Sequence, residues 1–184
     1  MHHFRFCPEC GGRLAQQPLR LEPDKKELTC TACGFVFWQN AKPTATAVLE
    51  NKHGEALLVL RAFDPKKGFW DLPGGFLETE EKPEEGLRRE LHEELGVEIT
   101  DVSFLGIFAD RYGEGEKMEI TFNVYYRARI ASGDPTPASD IADARWFNAA
   151  SLPEHMAFES NEKALDAWLE ATGRAKKYGP APAV

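Results

Sequence analysis

Leucines at 87, 91 and 95 recur every fourth position through a segment otherwise rich in Glu and Arg. That spacing draws one apolar stripe along a helix and predicts a helix from about Pro83 to Leu95 docked on a core. Pro83 suits the first helical position, where its missing N–H does no harm, and Gly96 suits the position just past the end. Upstream, Thr44 to Leu49 and Ala56 to Leu60 read as strands of a hairpin around the turn-forming Asn51-Lys52-His53-Gly54. Downstream, Val102 to Phe108 and Met118 to Arg129 read as strands with Gly113-Glu114-Gly115-Glu116 turning between them. The second alternates Met118, Ile120, Phe122 and Val124 against Glu119, Thr121, Asn123 and Tyr125, so one face belongs to the core and the other can look into a cleft. A Gly/Pro/Ser/Asp loop from Ser132 to Ala142 precedes a short strand, Ala144 to Phe147. A last helix, Ser160 to Ala171, takes Ser160 as its N-cap and lays Ala164, Leu165, Trp168 and Leu169 over the sheet.

The polar positions of the 83–95 helix point to chemistry. Three- and four-residue offsets share a helical face, which puts Glu90, Glu93 and Glu94 within roughly 100° of one another. Carboxylates so placed repel. A hard divalent cation between them relieves the repulsion, and Mg²⁺ or Mn²⁺ is commonly held by carboxylates together with substrate phosphates. Arg89 stands four residues before Glu93 and can brace it, with Glu81 able to hold Arg89 from the other side. A solvated helix with ordinary ion pairs is the plain alternative, but it predicts neither the preceding Leu72-Pro73-Gly74-Gly75 turn nor this register of acids.

All four cysteines fall in two C-x-x-C-G turns, Cys7 to Gly11 and Cys30 to Gly34, the spacing of a zinc ribbon. Two such turns complete a tetrahedral four-sulfur Zn²⁺ site, and a module this small needs the metal to fold. Two disulfides are the competing reading, disfavoured in a reducing compartment. The polar stretch Pro18 to Lys26 suits the tip of the ribbon, and Phe35, Phe37 and Trp38 are expected to pack it on the next domain. The boundaries are therefore a ribbon over 1–42, a main domain over 43–172 and a loose tail over 173–184. At 184 residues and 42% hydrophobic content, the chain can bury one core of about 130 residues plus that appendage. No apolar run approaches the roughly 20 residues that span a bilayer and the start lacks a secretory h-region, so a cytoplasmic protein without membrane contact is expected. The net charge of −8 and the lack of a basic stripe beyond Lys25-Lys26 argue against nucleic-acid binding by charge. The loop Asp64 to Gly68 carries two adjacent cations, either a solvated turn or a contact to substrate phosphate.

Gly75, five residues, Glu81, seven residues, then Arg89-Glu90-Leu91-His92-Glu93-Glu94-Leu95-Gly96-Val97 resembles the signature of the Nudix hydrolases at every fixed position. Trp70-Asp71-Leu72-Pro73-Gly74-Gly75 is similar to the family's usual approach to that box. The resemblance implies an α/β fold, an α/β/α sandwich with a mixed sheet, and metal-dependent hydrolysis of a nucleoside diphosphate linked to another moiety. It implies Glu93 and Glu94 as primary metal ligands, Glu90 as a further ligand or water-orienting group, the carbonyl of Gly74 as an extra ligand, and Arg89 and Glu81 as support. An extra acid is implied later in the chain. Asp140 and Asp143 are candidates for the base, and Glu119 for a late ligand.

A zinc ribbon followed by a Nudix domain is similar to the NADH pyrophosphatase group, but Leu105 to Gly113 stands where that group carries Ser-Gln-Pro-Trp-Pro-Phe-Pro. Preference for NADH is therefore not supported, and ADP-ribose, NAD(H) and dinucleoside polyphosphates all stay open. Tyr112 occupies the offset after the box where ADP-ribose hydrolases tend to have proline. Capped RNA contains the same linkage and is a further open substrate class. Related zinc-ribbon enzymes are often dimers, which makes a homodimer an expectation by analogy. A non-catalytic nucleotide sensor, or a nucleic-acid-binding ribbon protein, is the alternative function, disfavoured by the intact carboxylate set.

Overall fold

The leucine stripe is wholly buried in a computed structural model of the chain, which describes residues 4–20, 22–115 and 118–174. It seats helix α1 (Pro83–Leu95) on a sheet. Each such leucine removed from water contributes about 2 kcal/mol. Gly96 closes the helix in the left-handed conformation at φ 67°, its N–H bonded to the His92 carbonyl.

The chain divides into two compact units, residues 1–41 with 114–118, and residues 42–113 with 119–184. In the first, β1 (Leu14–Pro18), β2 (Lys26–Cys30) and β3 (Val36–Phe37) form a three-stranded antiparallel sheet. Cys7, Cys10, Cys30 and Cys33 are unbridged, and their sulfurs lie within 4.8 Å of one another, a set able to hold a metal ion. Sulfur separations of 3.5 Å and 3.8 Å are far beyond a disulfide bond. Backbone N–H groups of Cys33 and Ala32 stabilise the Cys30 thiolate and bring its pKa down to about 6. Phe35 and Phe37 turn inward on Leu14 and Leu28, with Phe37 4.5 Å from the Phe4 ring, so they build the ribbon's own core; Trp38 stays exposed.

The second unit has β4 (Lys42–Glu50), β5 (Ala56–Arg61), β6 (Trp70–Asp71), β7 (Gly74–Phe76), α1, β8 (Glu98–Tyr112), β9 (Glu119–Ser132), β10 (Ile141–Phe147) and α2 (Glu159–Ala171). Its strands run in the order β10-β5-β4-β9-β8, with β4 and β9 parallel and the other pairs antiparallel. The sheet is mixed and has a helix on each face. Ala45, Ala47 and Leu49 face α1, while Val48, Leu58 and Tyr125 face Leu165, Trp168 and Leu169 of α2. Beyond their hairpin β4 and β5 part, β7 pairing with β4 and β6 with β5, and the Leu72-Pro73 turn fills the opening.

Three expectations change. The strands flanking residue 113 are much longer than their hydrophobic runs, because irregularities at Glu98/Ile99, Thr100/Ser103 and Phe104/Gly106 break the two-residue alternation while the ladder continues. Ser160 does not cap α2: the N-cap is Phe158, the Ser160 hydroxyl accepts from Tyr125, and its N–H donates to the Asp110 carboxylate at 2.6 Å. The tail does not start loose at 173, since Arg174 donates to buried Glu50 at 2.8 Å and covers the Trp168 ring; residues 175–184 lie outside the described residues. No helix among the described residues is long and apolar enough to cross a membrane.

Candidate active site

The parting of β4 and β5 exposes the face of the sheet that Thr44, Thr46, Thr121, Asn123 and Tyr125 occupy, and a cavity of about 280 Å³ opens over it. The even-numbered face of β9 is less uniform than its alternation suggests, since Ile120 and Phe122 are exposed. The polar floor satisfies itself: Thr44 donates to the Asn123 side-chain oxygen at 2.7 Å, and the Asn123 amide donates to Thr121 and to the Phe108 carbonyl.

One wall is the turn into β7 packed on α1. Gly74 holds φ 134°, and a Cβ there would stand 2.3 Å from the Ala45 carbonyl oxygen; a Cβ on Gly75 would stand 2.5 Å from the Glu90 carboxyl carbon. Only glycines let this backbone lie between β4 and the acids. Glu94, 6% exposed, accepts the Gly74 N–H at 2.9 Å, and both Glu90 and Glu94 face the cavity. Burial pushes the Glu94 pKa well up, with Asp140, Glu90 and Asp71 adding to the rise and the Gly74 N–H opposing it. Burial also raises Glu90, against Arg89.

Arg89 is a knot between the two ends of the box. Its Nε and Nη2 donate to the two oxygens of Glu81, both at 2.9 Å, Nη1 donates to Glu90 at 2.9 Å, and Nη2 also reaches the Phe76 carbonyl at 3.0 Å. Glu81 is lowered in return by that hydrogen bond. Glu93 leans outward, half exposed, with Arg89 at 3.4 Å, and does not line the cavity. Among the described residues the cysteines are the only group of three or more such ligands gathered closely enough for one ion. The α1 acids stand apart because they repel and Arg89 holds two of them.

The later acids separate cleanly. The loop before β10 is tied to the C-terminal turn of α1, Thr136 N–H on the Leu95 carbonyl and Ala138 N–H on the Glu94 carbonyl, which brings Asp140 into the cavity with Glu90 and Glu94. Asp143 is elsewhere: it pairs with Arg145 at 2.6 Å and accepts the Ala144 N–H. Glu119 is also away from the cavity, captured by Lys42 at 2.6 Å at the strand end.

The opposite wall carries residues that the pattern of the chain did not single out. Arg61 pairs with Asp71 at 2.9 Å, and Asp71 also accepts from Asn161 at 2.5 Å and the Leu72 N–H. Burial raises Asp71, opposed by Arg61; burial works against the Arg61 charge, but the charge and hydrogen bond of Asp71 together with Tyr112 leave Arg61 raised. Tyr112 packs edge-on against Phe76 at 5.2 Å and is stacked with Phe158 at 5.6 Å, with Arg61 over both Tyr112 and Phe158. The sequence traces of this wall were Tyr112, noted for its offset, and Asp71, noted within the Trp70-to-Gly75 approach to the box; Arg61 had none.

Residues 40–169 match the NUDIX domain family. The chain belongs to the Nudix family. Over 152 residues it is 28% identical to the NAD-capped RNA hydrolase NudC of Pseudomonas aeruginosa, an alignment covering 82% of this chain and 50% of that protein. Over 153 residues it is 30% identical to the protein of the same name from Vibrio vulnificus, covering 82% and 53% respectively. The Nudix chain thus spans about half the length of these curated relatives. Its fold is similar to that of a NUDIX hydrolase from Nitrosomonas europaea, with a TM-score of 0.72 and 24% identity over 95% of this chain and 96% of the other.

Proposed function

We propose that this Nudix chain is a metal-dependent pyrophosphohydrolase that cleaves the diphosphate bridge of a nucleotide joined to another moiety, an NAD-type dinucleotide or its RNA-linked form. The observation that carries the reading is the convergence of Glu90, Glu94 and Asp140 on one cavity, Glu94 almost wholly buried and Arg89 bonded to Glu90. Burying several acids together is costly unless something neutralises them. All-oxygen donors suit Mg²⁺ or Mn²⁺. Glu90, Glu93, Glu94 and the Gly74 carbonyl would hold the ions, Glu93 by turning from Arg89 toward the cavity. Bound there, the ions would supply the charge that lowers the pKa of a water and neutralises phosphate oxygens.

The chain's own groups do the rest. Asp140 would accept the proton of the attacking water, since it faces the α1 acids from a loop fixed at both ends. Arg89 holds Glu90 and the β7 carbonyl in register through Glu81. Phe76, Tyr112 and Phe158 offer ring faces for a base, and Arg61 extends that wall. The four thiols would hold structural Zn²⁺. The named activity of the NudC relatives supports the RNA-linked form.

The test is monophosphate release from NAD, NADH, ADP-ribose, diadenosine polyphosphates, dNTPs and NAD-capped RNA with Mg²⁺ or Mn²⁺. Turnover of diphosphate-bridged dinucleotides that Asp140→Asn and Glu94→Gln both abolish is the expected result. Tight nucleotide binding without release by the wild type would overturn the enzymatic reading in favour of a sensor.

A further inference from the structure

Residues 62–69 leave the sheet after Arg61 and rejoin it at Trp70, and both flanks touch the cavity, through Arg61 on one side and Asp71 on the other. The Ala62 N–H donates to the carbonyl of Asp140 at 2.8 Å, which ties the loop's base to the same rim. The loop is internally fixed. Arg61 Nε donates to the Pro65 carbonyl at 2.7 Å, Gly68 N–H to the Arg61 carbonyl at 2.9 Å and Phe69 N–H to the Lys66 carbonyl at 3.1 Å.

Its outer surface does not resemble an ordinary solvated turn. Phe63 is 63% exposed and Phe69 44%, and neither belongs to a core cluster. Lys66 lies 5.7 Å from the Phe69 ring centroid, Lys67 is exposed beside it, and among the described residues neither lysine forms an ion pair. Two exposed rings and two lysines without an ion pair, against the single carboxylate of Asp64, give the loop a net positive charge in a chain of net charge −8. Single-stranded nucleic acid suits such a surface, because its phosphates take the cations and its bases stack on the rings without regard to sequence. A purely apolar partner would have to bury both lysines unpaired.

We propose that loop 62–69 is the landing surface for the first nucleotides of a single strand whose 5′-terminal dinucleotide sits in the cavity. This rests on the RNA-linked reading above, and the loop then sets the preference for capped chains over free dinucleotide. Phe63 and Phe69 stack bases while Lys66 and Lys67 hold the intervening phosphates.

Steady-state hydrolysis of NAD and of an NAD-capped oligoribonucleotide would be compared for the metal-loaded full chain and the double variants Phe63→Ala/Phe69→Ala and Lys66→Ala/Lys67→Ala. For the capped chain, KM should rise about 30-fold or more on loss of both rings. Loss of the lysines should flatten the salt dependence of log KM by about 1.4. Values for NAD should stay within twofold of wild type. Fluorescence anisotropy with a labelled 5′-hydroxyl oligoribonucleotide, which cannot be hydrolysed, reads the loop independently of turnover. If the wild type cleaves neither substrate, the hydrolase reading fails and anisotropy alone decides the loop. Equal oligonucleotide affinity in wild type and variants, or parallel losses on NAD and capped RNA, would overturn the proposal.

Discussion

Replacing Glu94 by Gln separates what the acid costs from what it does. The side chain is 6% exposed and already accepts the Gly74 N–H, and glutamine keeps that bond through its carbonyl oxygen while offering an amide to Glu90 or Asp140. The substitution therefore removes a buried charge without opening a cavity. Because the folded pKa of Glu94 is raised, the metal-free protein binds more protons than the unfolded chain above the ordinary carboxylate value near 4.3. Its stability contribution is fully present below that value and is lost as pH rises through the folded pKa. Metal-free wild type should thus lose stability as pH rises above the ordinary carboxylate value through the folded one, and Glu94→Gln should lose less. At pH 8 the variant should gain about 1–3 kcal/mol, roughly 2–10 °C in Tm for a chain of this size. Added Mg²⁺ should invert the order, raising the wild-type Tm with little effect on the variant, while turnover of the variant falls by about 100-fold or more. Differential scanning calorimetry with chelator and with Mg²⁺ across that pH range, beside a monophosphate-release assay, tests all of this. A variant that melts lower than wild type without metal, yet still turns over, would refute the argument that these acids are held at a cost for a cation.

Arg89→Lys keeps the charge but loses the two-pronged grip on Glu81; kcat should drop about 10- to 100-fold with Tm changed by only a few degrees, checked by kinetics and melting together. Cys30→Ser should lower bound zinc from one per chain to well below one by metal analysis, the other three thiols being insufficient for a closed site. Glu50 is buried between Arg127 and Arg174, which hold its pKa below the usual range against the effect of burial. That stability is present above the unfolded carboxylate value and lost as pH falls through the folded one. Arg174→Ala should accordingly cost about 1–3 kcal/mol at pH 7 and progressively less as pH falls through the folded value, by denaturant unfolding.

The parts of the site that were legible in the sequence are those built from one segment. Helix α1 runs over Pro83–Leu95 as its leucines and its flanking Pro and Gly dictate, because periodicity, start and stop all agree. The cysteine turns were legible because metal ligands repeat at fixed spacing, and the structure gathers their sulfurs. What stayed hidden depends on distant pairings. Asp140 and Asp143 are indistinguishable as letters; the hydrogen bonds of Thr136 and Ala138 to the end of α1 bring the first inward, while Arg145 takes the second. Glu119 sits on the right face of its strand but near its end, where Lys42 takes it. Arg61, Asp71 and Asn161 come from three separated stretches, and no local spacing links them.

The two walls of the cavity also differ in how they treat charge, and that contrast bears on which part of a substrate goes where. On the Arg61 side the buried charge is neutralised: Asp71 is held by Arg61, Asn161 and the Leu72 N–H, while half-buried Asp110 accepts the Ser160 and Arg111 N–H groups. That wall is finished without a ligand, and its exposed offering is aromatic surface. On the α1 side Glu94 has one neutral donor and faces Glu90 and Asp140, so the wall is electrostatically incomplete. A substrate that brings phosphates with their cations to the incomplete wall, and a flat base to the finished one, satisfies both at once. A phosphate turned toward Asp71 and Asp110 would meet negative charge with Arg61 already engaged. On the proposed reading, the polarity of the cavity would therefore set the direction of binding before any specific contact to the base is made.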